Sequence, residues 1–398
     1  MSEPRGVPET PPGLAEVFAA LSREPDFDAA ELQAHDAADE LLLATAADRI
    51  RGVAPGELAV IGDRHGALAV GAALVLGATD IRVHQDPLLG ERALAGNAER
   101  AGVADRIRSL PLEAGLLDGA RVVLLQLPRS LDALDEIAEA VARFAAPDAI
   151  LYAGGRVKHM SRSMNDVLSQ HFSEVSAGLG ARKARVLTAR GARPAPETSP
   201  GFPRWDDDPE LGFRLAAFGA TFGGATLDHG SRLLLAGLED AAPRATRIVD
   251  LGCGNGSLAV SAALARPHAR VIATDQSAAA VRATRATADA AGVGERVEVV
   301  RADGVEEIPD GWAELILLNP PFHSGALVHA GVAHRLIRAC SRALAPGGEL
   351  RLVFNSHLGY RPLVERAIGP TRQVARDRTF TVLSALRRSG QRGPSEPK

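Results

Sequence analysis

Four consecutive residues, Asn319-Pro320-Pro321-Phe322, follow the apolar run Leu315-Ile-Leu-Leu318. With five asparagines and 25 prolines in 398 residues, Asn-Pro-Pro is expected by chance about 0.02 times. The chemistry such a tetrapeptide suits is methyl transfer to an exocyclic amine. A ring-conjugated amine is a poor nucleophile, and the Asn319 side-chain oxygen together with the Pro320 carbonyl can accept its two hydrogens. The nitrogen lone pair is then aimed at an activated carbon for in-line displacement, with no need of a metal or a strong base. Positioning of this kind contributes roughly 7–11 kcal/mol. Proline rings fix the backbone so that the carbonyl points inward. The Phe322 ring offers a face to a base drawn out of its stack, worth roughly 1–3 kcal/mol. A sharp strand-ending turn would explain the prolines, but not the asparagine and the aromatic that flank them.

A second motif suits the donor of that carbon. Ile248-Val-Asp-Leu-Gly252-Cys-Gly254-Asn-Gly256 reads as a strand running into a Gly-rich loop that opens a helix, the place where open α/β sheets bind ligands. The next strand ends in Asp275, placed to accept both hydroxyls of a ribose, with Gln276 beside it. Asp303 follows a third strand and can meet the amino group of an adenine. Glycine loop, ribose acid and adenine acid on successive strands fit S-adenosylmethionine or a dinucleotide. The G-x-G-x-G spacing, with Asp250 two residues ahead of it, favours S-adenosylmethionine. The candidate cofactor residues here are Asp250, Gly252, Cys253, Gly254, Asn255, Gly256, Asp275, Gln276 and Asp303, together with Asn319. Asp250 equally suits hydrogen bonding to loop amides, and both roles stay open. Cys253 has no basic partner nearby in sequence and reads as a small residue in a tight loop. His323, His329 and His334 are spaced six and five apart with no carboxylate or cysteine joining them. They read as helix-surface histidines, with His323 near the substrate, and no metal is expected.

Short apolar runs alternating with amphipathic stretches must carry these residues, the pattern of a parallel sheet covered by helices. In the second half, strands are expected over 247–251, 270–274, 297–301, 313–318 and 349–355, with weaker ones at 372–375 and 380–386. Helices fit at 257–265, 277–291 and 328–345, and Pro346-Gly347-Gly348 turns the last of them into a strand. The first half repeats the layout, with strands at 58–61, 80–83, 122–126 and 149–153 and helices at 90–101 and 130–144. Asp250 to Asp275 is 25 residues and so is Ile61 to Asp86, which points to an internal duplication of one α/β fold. Four prolines between Gly191 and Pro203 read as a semi-rigid linker. The expected organisation is therefore a domain over 14–190, a linker over 191–204 and a domain over 205–388.

Composition agrees with two soluble globular domains. Apolar residues make up 46% and charged residues 24% of the 398, which excludes a disordered or fibrous chain. No apolar run is long enough for a membrane span, and the proline-rich start does not resemble a secretory signal. Two distant cysteines form neither a disulfide framework nor a metal knuckle, so a cytoplasmic location is expected. A net charge of −4 neither demands nor excludes a nucleic-acid partner.

With these residues in view, the second half resembles the bacterial ribosomal-RNA guanine-N2 methyltransferases of the RsmC/RlmG type. The likeness rests on Thr226-Leu-Asp228-His-Gly230-Ser-Arg-Leu-Leu-Leu235, the Gly-rich loop, Asn319-Pro-Pro-Phe-His323 and Phe354-Asn355-Ser-His-Leu-Gly-Tyr360. It implies two tandem Rossmann-like methyltransferase domains of seven-stranded, mostly parallel sheets, the first degenerate. It implies S-adenosylmethionine as cofactor, with Asp228 and Gly230 lining its methionine end, and catalysis by Asn319, Pro320, Pro321 and Phe322. Thr221-Phe-Gly-Gly224 departs from the family's aromatic-Ser-Arg stretch. In the first half the loop reads Val60-Ile-Gly62-Asp-Arg-His-Gly66 and the catalytic slot Leu127-Pro-Arg-Ser130, with leucine for asparagine. That half is expected to do no chemistry and to serve substrate binding and structural support. Residues 152–193 carry eight Lys/Arg against two Asp/Glu, an RNA-facing patch or a solvated basic surface. The expected partner is ribosomal RNA or a ribosomal subunit, with no membrane and no metal; the oligomeric state is left open, a monomer being the expectation. The competing readings are methylation of adenine N6 or of a protein glutamine amide, a non-catalytic assembly factor, and a nicotinamide-dependent oxidoreductase.

Overall fold

Strands that read as continuous apolar runs require a sheet buried on both faces, and the computed structural model contains two. It describes residues 8–26, 32–193, 200–320 and 326–389. The chain divides between Phe202 and Pro203 into two units. In the first, the elements are α1 (Leu14–Ala19), α2 (Ala37–Arg51), β1 (Leu58–Ile61), α3 (Ala67–Val75), β2 (Ile81–His84), α4 (Leu88–Arg100) and β3 (Ile107–Ser109), followed by α5 (Ala114–Leu117), β4 (Val122–Gln126), α6 (Leu131–Phe144), β5 (Ile150–Arg156), α7 (Arg162–His171), β6 (Phe172–Ala177) and β7 (Ala184–Ala192). The second unit opens with β8 (Arg204–Asp207), β9 (Arg214–Ala217), α8 (His229–Leu235), β10 (Arg247–Leu251), α9 (Ser257–Ala265), β11 (Arg270–Asp275) and α10 (Ala278–Ala290). It continues with β12 (Val297–Arg301), β13 (Ala313–Leu318), α11 (Ala326–Ala343), β14 (Leu344–Asn355), α12 (Arg361–Ala367), β15 (Thr371–Arg376) and β16 (Phe380–Leu386).

The seven-stranded sheets run β3-β2-β1-β4-β5-β7-β6 and β12-β11-β10-β13-β14-β16-β15, the same order in both units. In each, the seventh strand in sequence lies antiparallel to both its neighbours, and the other pairs are parallel. Strand order reverses between β1 and β4 and between β10 and β13. The carboxyl ends of these pairs are the switch points at which such sheets bind ligands. Because successive strand residues face opposite sides, Ile248, Leu315 and Leu317 pack with Leu258 and Ala262 of α9. Val249, Leu251, Ile316 and Leu318 pack with Ile337 and Cys340 of α11. Each such buried aliphatic side chain contributes about 1.5–3 kcal/mol over an exposed one.

Hydrogen-bond register corrects the alignment drawn from spacing alone. Ile61 pairs with His84 and Leu125, as Leu251 pairs with Thr274 and Leu318. Ile61 is therefore the counterpart of Leu251. Val60 matches Asp250, Gln85 matches Asp275, and Gln126, not Leu127, matches Asn319. Equal spacings survive a slip of one residue, whereas pairing does not. Two further expectations shift. Strand β7 runs on to Ala192, which pairs with Phe172, and β8 begins at Arg204, so strands occupy both ends of the expected linker. Pro346-Gly347-Gly348 lies within β14, where Gly347 takes φ +77° and pairing with β13 shifts between Ala313 and Leu315. The segment is a bulge in the strand, not the turn that precedes it.

Candidate active site

From Leu251 the chain turns through Gly252, Gly254 and Gly256, at φ +84°, +56° and +84°, into α9. These left-handed conformations favour glycine. A Cβ on Gly256 would also stand 3.1 Å from the Thr284 Cα of α10. Asp250 is fully buried behind the loop, and its Oδ2 accepts the Ala259 N–H at 2.9 Å. Burial pushes its carboxyl up to about 7, with the Ala259 bond opposing and the Asp275 charge adding to the rise. The bond to a backbone amide near the start of α9 accords with one of the two roles open to Asp250. Asn255 is tied into the protein by its side chain. Its Nδ2 donates to the carbonyls of Gly224 and Thr226 at 3.0 and 2.9 Å, while its Oδ1 accepts the Ser257 N–H at 3.2 Å. Both amide hydrogens are thus committed to clasping the 224–226 segment onto the Gly-rich loop. Burial holds the Cys253 thiol well above its ordinary range, which suits a small packing residue and not a nucleophile.

Asp275, at the end of β11, accepts the Gly254 N–H through Oδ2 at 3.1 Å and the Ser277 N–H through Oδ1 at 2.9 Å. These bonds tie the acid to the loop. The Gln276 carbonyl accepts from the Arg301 Nε at 3.3 Å. Asp303 is held by Arg335, which donates to Oδ1 at 2.9 Å and also to Oδ2. Fixing the acid in this way was not legible in the sequence, because Arg335 lies on the distant α11.

Asn319 stands at the end of β13, on the other side of the switch point. Its Nδ2 donates to Asp228 Oδ2 at 2.7 Å and to Ser231 Oγ at 3.0 Å. Asp228 caps α8, the same Oδ2 accepting the Ser231 N–H at 2.9 Å. With both amide hydrogens engaged, Oδ1 is set as the acceptor on the opposite edge. Gly230 packs beneath this group: a Cβ there would stand 3.3 Å from both Nδ2 and Oδ1 of Asn319. A Cβ on Gly252 would lie 3.9 Å from the Asn319 carbonyl oxygen. The fold thus brings Asp228, Gly230, Gly252 and Asn319 together from three separate stretches. Ser231 was not singled out, although a serine three residues after a helix-capping aspartate marks its position. Pro320 is buried; Pro321, Phe322 and His323 lie outside the described residues, as does the His329 side chain. His334 meets the Tyr360 ring edge-on at 5.4 Å, and no group of His, Cys, Asp or Glu suited to a metal occurs among the described residues.

The first unit repeats the scaffold with other groups. Residues 62–66 keep positive φ at Gly62 (+77°), Arg64 (+21°) and Gly66 (+95°). Asp63, in the position of Cys253, accepts the N–H groups of Leu68 and Ala69 at 2.8 and 2.7 Å. It does for α3 what Asp250 does for α9, while Val60 takes Asp250's place. Gln126 donates to Asp39 Oδ1 at 2.6 Å, as Asn319 donates to Asp228.

Comparison with known proteins agrees with this duplicated plan. Residues 213–384 match the model of the methyltransferase small domain and residues 14–193 that of the RLMG N-terminal domain. A ribosomal RNA large subunit methyltransferase G from Stutzerimonas stutzeri is 37% identical over 371 residues, covering 92% of this chain and 96% of that protein. The protein of the same name from Streptomyces coelicolor is 35% identical over 378 residues, covering 92% and 97%. Among solved structures, the T. thermophilus 16S rRNA N2 G1207 methyltransferase (RsmC), in complex with AdoMet and guanosine, superposes with a TM-score of 0.68. It is 23% identical and covers 86% of this chain and 92% of its own, a likeness of fold. At that identity and coverage to its named relatives, the chain belongs to the ribosomal RNA large subunit methyltransferase G family.

Proposed function

We propose that the second unit transfers a methyl group from S-adenosylmethionine to the exocyclic N2 amine of a guanine in ribosomal RNA, that of the large subunit. The observation that carries this reading is the Asn319 amide, whose hydrogens are committed to Asp228 and Ser231, which leaves Oδ1 as the acceptor a substrate amine would meet. The relatives' names supply the class of RNA, and the RsmC neighbour was solved with AdoMet and guanosine.

The residues present fit the cofactor. A Cβ on Gly254 would meet nothing within 4 Å, so the loop presents bare backbone to open space. The half-buried Asp275 would hold the ribose, with Gln276 beside it, Asp303 the adenine amine, and Asp228 and Gly230 the methionine end. When bound, S-adenosylmethionine supplies a methyl group activated by its sulfonium. Asn319 Oδ1 and the Pro320 carbonyl would accept the two hydrogens of the guanine amine and aim its lone pair at that carbon. One of the two hydrogens held by these acceptors would leave the methylated amine as a proton to bulk water, because neither an amide oxygen nor a peptide carbonyl is basic enough to keep it. Pro321 would keep the turn rigid, and Phe322 would stack on the extruded base. The first unit would support the catalytic one and assist substrate binding without chemistry of its own. The cytoplasm is the proposed location; among the described residues no helix is long and apolar enough to cross a membrane.

The test is to map N2-methylguanosine in large-subunit ribosomal RNA from a deletion strain carrying either the wild-type or the Asn319→Ala protein. The wild type should restore the modification and the variant should not. Restoration by Asn319→Ala would overturn the reading.

A further inference from the structure

At the carboxyl ends of β1, β4 and β5 the first unit contains a cavity of about 170 Å³, in the place that corresponds to the catalytic site of the second. Its lining is strongly cationic. Arg64 comes from the loop after β1, Arg129 from the segment after β4, Arg156 from the last position of β5, and Lys158 and His159 from just beyond. Asp36 is the one carboxylate in the lining, and its Oδ1 already accepts the Ala38 N–H at 2.7 Å. Among the described residues, none of the two arginines Arg64 and Arg129, Arg156 or Lys158 makes an ion pair. The Nε of Arg156 is buried without a hydrogen-bond partner. Desolvation and then the charges of Arg129, Lys158, Arg156 and Arg64 hold the His159 imidazole below its ordinary value, so these cations converge on one spot.

Register matches two of these cations to neutral positions of the second unit. Arg64 stands where the second unit has Gly254. Arg129 follows three residues after Gln126. Ala153 pairs with Leu125 as Leu352 pairs with Leu318, so Arg156 stands where the second unit has Asn355. Two positions that are neutral in the second unit are thus arginine here, and Arg129 lines the same cavity. Like charges that outnumber the nearby acids repel one another, and they suit an anion that neutralises them. Arginine forks match phosphate oxygens in particular. The volume limits the ligand: typical small-molecule pockets occupy about 300–1,000 Å³, so this one takes a head group and not a whole nucleoside cofactor.

We propose that the first unit's counterpart of the catalytic cleft is an oxyanion site that receives a phosphate group, carried by a nucleic-acid backbone or by a mononucleotide. The inference does not rest on the activity of the second unit. The test uses the full chain and four probes in calorimetric titration: inorganic phosphate, guanosine 5′-monophosphate, unphosphorylated guanosine, and a 12-nucleotide single-stranded RNA. The variants are Arg156→Gln with Lys158→Gln, and separately Arg64→Gly, which restores the residue of the catalytic counterpart. At least one phosphate-bearing probe should bind the wild type and lose about tenfold or more in affinity in both variants, with melting temperature and S-adenosylmethionine affinity unchanged. Loss confined to the RNA, with a salt-dependence slope lower by about one per cation removed, identifies a backbone phosphate. Loss shared by the mononucleotide identifies a free phosphate ester. Folded variants that bind every phosphate-bearing probe as the wild type does would overturn the proposal.

Discussion

Replacing Gly230 by alanine tests whether the place of Asn319 is set by close packing. Gly230 is the second residue of α8 and is absent from the residues with positive φ, so the backbone accepts alanine and helix propensity improves by about 0.5–1 kcal/mol. The added Cβ would stand 3.1 Å from Asp228 Oδ2 and 3.3 Å from both terminal atoms of the Asn319 amide. Ordinary contacts begin at about 3.5 Å, so the amide must retreat by about 0.2 Å, or about 0.4 Å if it follows the displaced Asp228 carboxylate. On a scale where a displacement of about 1 Å costs about 100-fold, the methyl-transfer rate should fall about 2- to 6-fold. Single-turnover transfer of a labelled methyl group to large-subunit ribosomal RNA measures this, with the melting temperature followed alongside. The melting temperature should hold or rise, and cofactor affinity should change less than the rate. A folded Gly230→Ala protein with the wild-type rate would refute the argument that packing under the amide positions the acceptor.

Two further outcomes follow from buried charge. The Asp250 carboxyl, raised to about 7 in the folded protein from 3.8, keeps a proton that the unfolded chain releases. Its contribution to stability is complete below about pH 4 and is lost as pH rises to about 7, by at most about 4 kcal/mol. Asp250→Asn should flatten that part of the pH dependence and be more stable than the wild type at pH 8 in urea unfolding; an unchanged slope would count against it. Asp39, raised to about 7 by burial and by Asp36, leaves a residual slope. The Arg351 side chain is 3% exposed and donates to Glu349, which is 7% exposed and also accepts from Ala242 N–H and Ser384 Oγ at 2.8 and 2.6 Å. Arg351→Ala strands a buried carboxylate and should cost about 3–5 kcal/mol, about 6–20 °C in the second unit's melting temperature. A loss under about 2 °C in calorimetry would show that the pair carries little.

Much of the second unit was legible without coordinates. Strands β10, β13 and β16 occupy the spans read from their apolar runs, because a strand covered on both faces must be apolar at consecutive positions; the edge strand β12 was read from its β-branched residues. Helix α9 likewise follows from the glycines that stop β10 and start it. Helix α2 was missed even though Asp36 and Asp39 form a capping box at its start, a local signal that went unused. The α8 helix and the β8–β9 pair are too short for periodicity to reveal.

By itself the sequence determined the motifs, the alternation of elements and the fact of duplication, all of which depend on neighbours within a turn or a strand. Only tertiary structure decided that Asp228 and Asn319, 91 residues apart, share one hydrogen bond, that Asn255 is a clasp, and that Gln126 is the true counterpart of Asn319. It also decided that Arg64, Arg129 and Arg156 line one cavity. The reason is physical: periodicity and turn chemistry are local, whereas register and side-chain meeting points arise from pairing between distant strands. A slip of one residue leaves every spacing nearly intact while it exchanges every side chain between the two faces.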